Sequence, residues 1–282
     1  MNDADQIRRR RLRTAVSYAV LVLIAVVFVF PFVIAIATSF KTEPNATADP
    51  LSLRPTPFTT DAYHQLRHDN DFFLWVQNSL IVTLCVTFLR VFLDSLAGYA
   101  LARLRFRGRA AAFTTIVAVM AVPGVVLLIP KFLIIRQLGI YDTYYGMIIP
   151  LLVDAAGVFI MKNFFESIPV SVEESARIDG ASIFRTYWSI VLPMARPALI
   201  TIFILSFQGS WNELAHFIVA AQSSSLDTLT KGVAQLASGQ LGSGNRYPLK
   251  LAASVLMTIP VAIMFFIFQR RIMNTSAGAV KE

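Results

Sequence analysis

The segment Ile168–Pro197 reads IPVSVEESARIDGASIFRTYWSIVLPMARP, and its reading organises the rest of the chain. Pro169 stops the preceding helix, because its ring disfavours helical geometry before it and it has no N–H. Ser171 is placed to cap a new helix, and Glu174 three residues on completes a capping-box pattern. Val172, Ala176 and Ile178 supply apolar positions at helical spacing, although Ile178 lies off the Val172–Ala176 face. Gly180 permits the left-handed turn that ends such a helix. A second helix is predicted from about Ser182, carrying Ile183, Phe184, Tyr187, Trp188, Ile190 and Val191, until Pro193 and Pro197 break it. The expectation is a helix, a glycine turn and another helix, with an apolar ridge framed by charge. That shape suits a partner's groove.

Outward from this segment the chain is mostly apolar. Six stretches, roughly 16–38, 75–101, 111–130, 146–163, 197–221 and 249–269, are long enough to cross ~30 Å of hydrocarbon as helices. Of 282 residues, 56% are hydrophobic and only 15% charged. Soluble domains carry roughly a quarter charged residues, so this chain is expected to be an all-α membrane protein. The net charge of +8 comes from Arg clusters flanking apolar runs, which fits orientation in a membrane and gives no reason to invoke nucleic acid. The one cysteine, Cys85, excludes a disulfide framework. Arg8-Arg9-Arg10-Arg11 before an apolar run resembles a secretory signal. The run from Val16 to Ala37 is too long for a signal core, however, and ends in Thr38-Ser39-Phe40-Lys41 without a clear cleavage site, so it reads as a retained first span.

The organisation expected is a terminus over 1–15, a first span over 16–38, an external loop over 39–74, a five-helix core over 75–269 containing the loop 164–196, and a tail over 270–282. With the N-terminus in the cytoplasm, sixteen Lys and Arg fall on the cytoplasmic side and eight outside, which places both termini inside. The first external connection is polar and holds Pro44, Pro50, Pro55 and Pro57. The connection 222–248 is rich in Ser and Gly. Proline breaks fall at Pro123 and Pro150, and neighbouring helices are expected to tolerate both.

In the segment 168–197, Glu174-Ser175-Ala176, Gly180, Ile190 and Leu192-Pro193 resemble the signature of permease subunits of binding-protein-dependent ABC importers. That signature reads Glu-Ala-Ala, three residues, Gly, nine residues, Ile, one residue, Leu-Pro, and every spacing matches. Ser175 is the one departure, a small residue for a small residue. Asp179-Gly180-Ala181 is similar to the form found in the carbohydrate branch. Gly98-Tyr99-Ala100-Leu101-Ala102-Arg103, Trp211-Asn212-Glu213 and the tail Ala277-Gly278-Ala279-Val280-Lys281 also resemble sugar and glycerol-phosphate permeases.

The resemblance implies the type I ABC importer permease fold in a bacterial inner membrane, with a cytoplasmic coupling helix. Its implied partners are a second permease subunit, two ATPase subunits and an extracytoplasmic solute-binding protein. Glu174, Ser175, Ala176, Asp179, Gly180, Ile190, Leu192 and Pro193 would form the ATPase coupling site. The chain has no Gly-x-x-x-x-Gly-Lys-Ser/Thr loop, so it would carry no cofactor itself, and ATP and Mg would sit on the ATPase subunits. Gly239, Gly242 and Gly244 read as a flexible external loop. By its place in the chain, the 222–248 connection is either a finger toward the solute or a plain linker.

Charges inside spans need partners or an aqueous path. Arg90 and Asp94 are four residues apart and share a helix face, so they form a candidate ion pair. Arg90 could instead pair with Asp154. Asp154, Asn212, Glu213 and Asn78 are candidates for the solute path, since carboxylates and amides suit hydroxyl-rich ligands, although such groups also bridge helices. His64, His68 and His216 lack a metalloprotease-type pattern and are not read as a metal set. Asp94 and Asp154 lack the context of an intramembrane protease. A self-sufficient secondary transporter would show two similar halves, and none is evident.

Overall fold

The computed structural model describes residues 3–68, 71–239 and 246–278, with side chains described over 11–68, 71–239 and 246–269. No strand occurs among the described residues. The chain divides into two units, 1–71 with 235–259 and 72–234 with 260–282.

In the first unit α1 spans Asp3–Ser39, α2 Glu43–Ala48 and α3 Asp61–His68. The apolar side chains of α1 are exposed from Leu12 to Ile36, as suits a helix surrounded by lipid or by another chain. Pro31 lies inside α1 without ending it. The segment after it has a small core of its own. Phe40 stacks on Phe58 at 5.0 Å and packs against Tyr63 at 5.1 Å, and Lys41 Nζ donates to the Asp49 carbonyl at 2.8 Å. The expected external loop over 39–74 is therefore partly helical.

The rest of the chain follows as α4 Phe72–Arg103, α5 Arg109–Met120, a 3-10 turn Gly124–Leu127, α6 Leu128–Gln137, α7 Tyr144–Ile148, a 3-10 turn Ile149–Leu151 and α8 Ala155–Ser167. Then come α9 Val170–Ile178, α10 Ile183–Thr186, a π-helical stretch Tyr187–Val191, α11 Leu192–Met194, α12 Arg196–Trp211, α13 Ala215–Ala220, α14 Leu229–Ser238 and α15 Tyr247–Gly278.

In the second unit α4 packs along α8 and against α12. Small residues permit the approach. A Cβ added to Gly98 would lie 2.6 Å from Met161 Cβ, and one added to Gly157 would lie 2.1 Å from Asp94 Oδ2. Close backbone approach at such residues is how apolar helices associate where lipid offers no hydrophobic drive.

Among the described residues, three helices, α1, α4 and α15, are singly long and apolar enough to span a membrane, and three bent pairs bring the total to as many as six. The bends fall at or near the proline breaks expected at Pro123 and Pro150, and between Pro193 and Pro197. The third apolar stretch does not run through Pro123: helix ends at Met120, Pro123 is extended, and the pieces meet at 103°. Gly124 and the missing N–H of Pro123 remove the means to continue. At Pro150 the chain tightens to a 3-10 turn and bends 41° before α8. The predicted fifth span over 197–221 ends at Trp211, and α13 restarts beyond Asn212 and Glu213. Pro193 does not break the hairpin's second helix; it sits inside α11, and the 79° bend falls at Ala195. The described residues of the 222–248 connection hold α14. The tail motif beyond Gly278, and Gly242 and Gly244, lie outside the described residues.

Candidate functional site

The predicted hairpin forms, with its start two residues earlier than expected. α9 begins at Val170 with Pro169 as N-cap and no side-chain cap, so Ser171 sits inside the helix and the capping-box reading is corrected. Pro169 supplies the extended entry by itself. The exit is a Schellman turn: Ala181 N–H donates to Ala176 O at 2.9 Å and Gly180 N–H to Arg177 O at 3.0 Å. Gly180 has φ +76°, and a Cβ there would touch nothing within 4 Å. The requirement for glycine is thus purely one of backbone conformation. Ser182 caps α10 by accepting from Arg185 N–H at 3.3 Å.

The hairpin has two faces. Its inner face is held by Glu173, a residue the capping-box reading passed over. Glu173 is only 3% exposed, and its Oε1 lies 3.0 Å from Arg103 Nε at the end of α4. Tyr99 Oη donates to Glu173 Oε2 at 3.3 Å. Arg103 Nη2 also donates to Phe165 O at 2.6 Å and to Ile168 O, which caps the last carbonyls of α8. One guanidinium therefore joins α4, α8 and α9. Around it Tyr99, Phe165 and Tyr187 pack at 5.0–6.4 Å between ring centroids, and Tyr187 Oη lies 2.7 Å from Ser95 Oγ. Ala176 is buried on this face, as are Val191 and Ala195 after the turn. Ile190 and Leu192 are half-buried.

The outer face is open. Glu174, Ser175, Asp179, Gly180 and Pro193 are exposed. Beside them stand Ile178 at 87% exposure, Ile183, Phe184 and Trp188, with the Phe184 and Trp188 rings stacked at 6.3 Å. A contiguous group of large apolar side chains on a polar loop marks an interaction surface.

The intramembrane polar groups behave differently from their sequence reading. Arg90 and Asp94 do not form an ion pair. Arg90 Nε instead donates to Leu151 O at 2.7 Å, a carbonyl left free where the helix bends near Pro150. Asp94 Oδ1 accepts from Asp154 N–H at 3.1 Å. Asp154 lies at the break in the middle of the bent fourth span and is the N-cap of α8, accepting from Gly157 N–H at 3.0 Å. Arg90 and Asp94 thus serve the two sides of one break in the helix.

Asn78 is fully buried, with both ends of its amide hydrogen-bonded. Its Nδ2 donates to Ser225 O and Asp227 O, both at 2.9 Å, and its Oδ1 accepts from Tyr144 Oη at 2.5 Å. In this structure the side chain therefore bridges α4 to α7 and to the 222–248 connection, with one lone pair of its oxygen left over. Glu213 Oε1 accepts from His216 N–H at 2.9 Å and starts α13, whereas Asn212 is exposed in the break.

Comparison with known proteins places this geometry. Residues 94–274, from within α4 through the hairpin and into α15, match the family model described as binding-protein-dependent transport system inner membrane component. The chain is 35% identical over 247 residues to the sulfoquinovosyl glycerol transport system permease protein SmoH of Agrobacterium fabrum, covering 86% of each chain. It is 32% identical over 233 residues to the arabinooligosaccharides transport system permease protein AraQ of Bacillus subtilis, covering 82% of each. Its fold superposes on a chain of a bacterial ABC transporter involved in the import of the acidic polysaccharide alginate. There the TM-score is 0.80 and the identity 27%, over 93% of this chain and 97% of that one. The chain belongs to the binding-protein-dependent transport system inner membrane component family and is a transmembrane permease subunit of an ABC importer.

Proposed function

We propose that this subunit passes a sugar or sugar-like solute inward, delivered by an extracytoplasmic binding protein and driven by ATP hydrolysis on two separate ATPase subunits, with a second permease completing the pore. The observation that carries the mechanism is the two-faced hairpin. Its outer ridge of Ile178, Ile183, Phe184 and Trp188 is free to dock, while its inner face is tied through Glu173 and Arg103 to α4 and α8. A push on the ridge is then delivered to both helices as rigid-body motion, the kind of movement that alternating access needs. Glu174 and Asp179 would supply polar contacts to the ATPase, Gly180 the turn, and Leu192-Pro193 the exit. The hairpin and both termini would face the cytoplasm.

The substrates for which these relatives are named, a sulfoquinovosyl glycerol, arabinooligosaccharides and alginate, support a carbohydrate solute. Of the candidate path residues, Asn212 keeps an exposed amide, and Asp154 and Glu213 retain partial exposure beside their capping roles. Asp154→Asn should therefore alter the ratio of uptake between two sugars. An equal loss for all solutes would assign Asp154 to the helix cap alone.

The decisive test substitutes the turn. A β-branched residue at φ +76° carries strain of about 1–2 kcal/mol or more. Gly180→Val should abolish uptake in the assembled importer while the chain still inserts and still binds its second permease, and Gly180→Ala should be milder. Wild-type uptake by Gly180→Val would overturn the role.

A further inference from the structure

The end of the second unit that carries the Arg103 anchor also holds a cavity that the transport reading leaves unused. It has a volume of about 710 Å³ and lies between the loop after α4, the first turn of α5 and α8. Its lining is divided by chemistry. Leu101, Phe106, Ala110, Ala111 and Phe113 are apolar, whereas Arg109 and Lys162 are cationic. We propose that this cavity is a binding site for one anionic phospholipid, with the phosphate on the cavity side of Arg109 and Lys162, away from Glu166, and the acyl chains along α5.

The charge arrangement favours an anion. Arg109 Nη2 lies 3.5 Å and Lys162 Nζ 2.8 Å from opposite carboxylate oxygens of Glu166, so three charges leave one net positive. Lys162 is held in place by this contact and by stacking 4.2 Å from the Phe113 ring centroid. Arg109 is steadied by donating to Ala102 O at 3.1 Å. Two cations fixed by neighbours lose little freedom when a phosphate arrives. Arg105 and Arg107 are exposed in the adjoining loop and add positive potential at the mouth. The first turn of α5 has no side-chain cap and no acidic residue, so its amides complement the same charge.

The apolar half points to a lipid over a soluble phosphate. α5 buries none of its residues within the chain, and Val117, Val119 and Met120 continue the apolar surface away from the cavity. The site also falls where α4 ends and α5 begins, the level at which headgroups meet spanning helices. Basic pockets between helices at that level are where acidic headgroups are held.

The test is native mass spectrometry of the detergent-purified chain, titrated with phosphatidylglycerol, phosphatidylcholine or inorganic phosphate. Wild type is expected to retain one phosphatidylglycerol in preference to phosphatidylcholine. Arg109→Gln/Lys162→Gln should weaken that retention by about thirtyfold, two surface cations at roughly 1 kcal/mol each. Ala111→Trp, which fills the cavity without changing charge, should abolish retention as well and guards against misfolding of the double variant. Arg185→Gln, on the exposed hairpin, should leave retention unchanged. Equal loss in Arg185→Gln would reduce the effect to general surface charge and overturn the site. Full retention by Ala111→Trp, or displacement of the lipid by inorganic phosphate alone, would also overturn it.

Discussion

Helix α4 is anchored near both ends by a buried polar side chain, and the two anchors differ. Near the start, Asn78 is neutral and closed: both ends of its amide are bonded, to Ser225, Asp227 and Tyr144. At the other end Arg103 is charged, serves two carbonyls of the α8 terminus and an ion pair with Glu173, and sits beneath a hairpin whose far side is bare. The first arrangement fixes a loop to a helix. The second fixes a hairpin with an open face to a helix, the geometry that the proposed coupling needs. The difference lies in what remains open after the polar groups are satisfied.

The largest effect that would sharpen this contrast is at the charged end. Glu173→Ala leaves Arg103 buried without its carboxylate, a change expected to cost about 3–5 kcal/mol. Thermal unfolding should fall sharply, and uptake per ATP hydrolysed should fall further than protein yield. Glu174→Ala, one residue away but exposed, should leave thermal stability near wild type. Equal destabilisation by the two would break the assignment of faces. At the neutral end Asn78→Ala strands the buried Asp227 carbonyl, at about 1–3 kcal/mol, and removes the partner of the exposed Ser225 carbonyl. It should lower stability without changing the ratio of uptake to ATP hydrolysis. A changed ratio would remove the distinction between the anchors.

Smaller effects test the packing that joins those ends. Gly98→Ala drives a methyl into Met161 Cβ at 2.6 Å, and overpacking of this kind costs typically about 1–3 kcal/mol. The weakest effect is a pH dependence. Asp142 accepts from Gln222 and Ser223 amides at 2.8 and 2.9 Å and from the Ser223 hydroxyl, and those bonds, led by the hydroxyl, hold its carboxyl below the ordinary 3.8. The folded value is depressed, so the tie is complete above 3.8 and is lost as pH falls through the lower folded value. Hydrogen exchange at the Ser223 amide should stay slow down to pH 4 and quicken only in stronger acid. Quickening between pH 6 and 5 would contradict it.

The hairpin was legible because its punctuation is local. Pro169 opens it and Gly180 turns it, and neither depends on distant contacts. Glu173 was not legible from the capping box, because two adjacent glutamates looked alike and Ser171 drew the helix start to the wrong residue. The usable signal was the face. Glu173 is three residues before Ala176, so a helix that buries Ala176 also buries Glu173 and needs a cation, which Arg103 offers at the end of α4. The size of the helix bends was hidden for another reason. Hydropathy stays high across Pro123, and composition averaged over a span does not register a 103° change of direction there or a 79° one at Ala195. The pairing of Arg90 with Leu151 rather than Asp94 follows from the break near Pro150, because a bend frees a carbonyl that a straight helix would have used.

The account stands on the hairpin's outer ridge meeting an ATPase. Phe184→p-benzoylphenylalanine, photoactivated in the assembled importer, measures that contact directly. The ridge predicts a crosslink to the ATP-hydrolysing subunit, lost when the same group replaces buried Ala176. A crosslink from position 184 to the solute-binding protein would put the hairpin on the opposite side of the membrane and contradict the account.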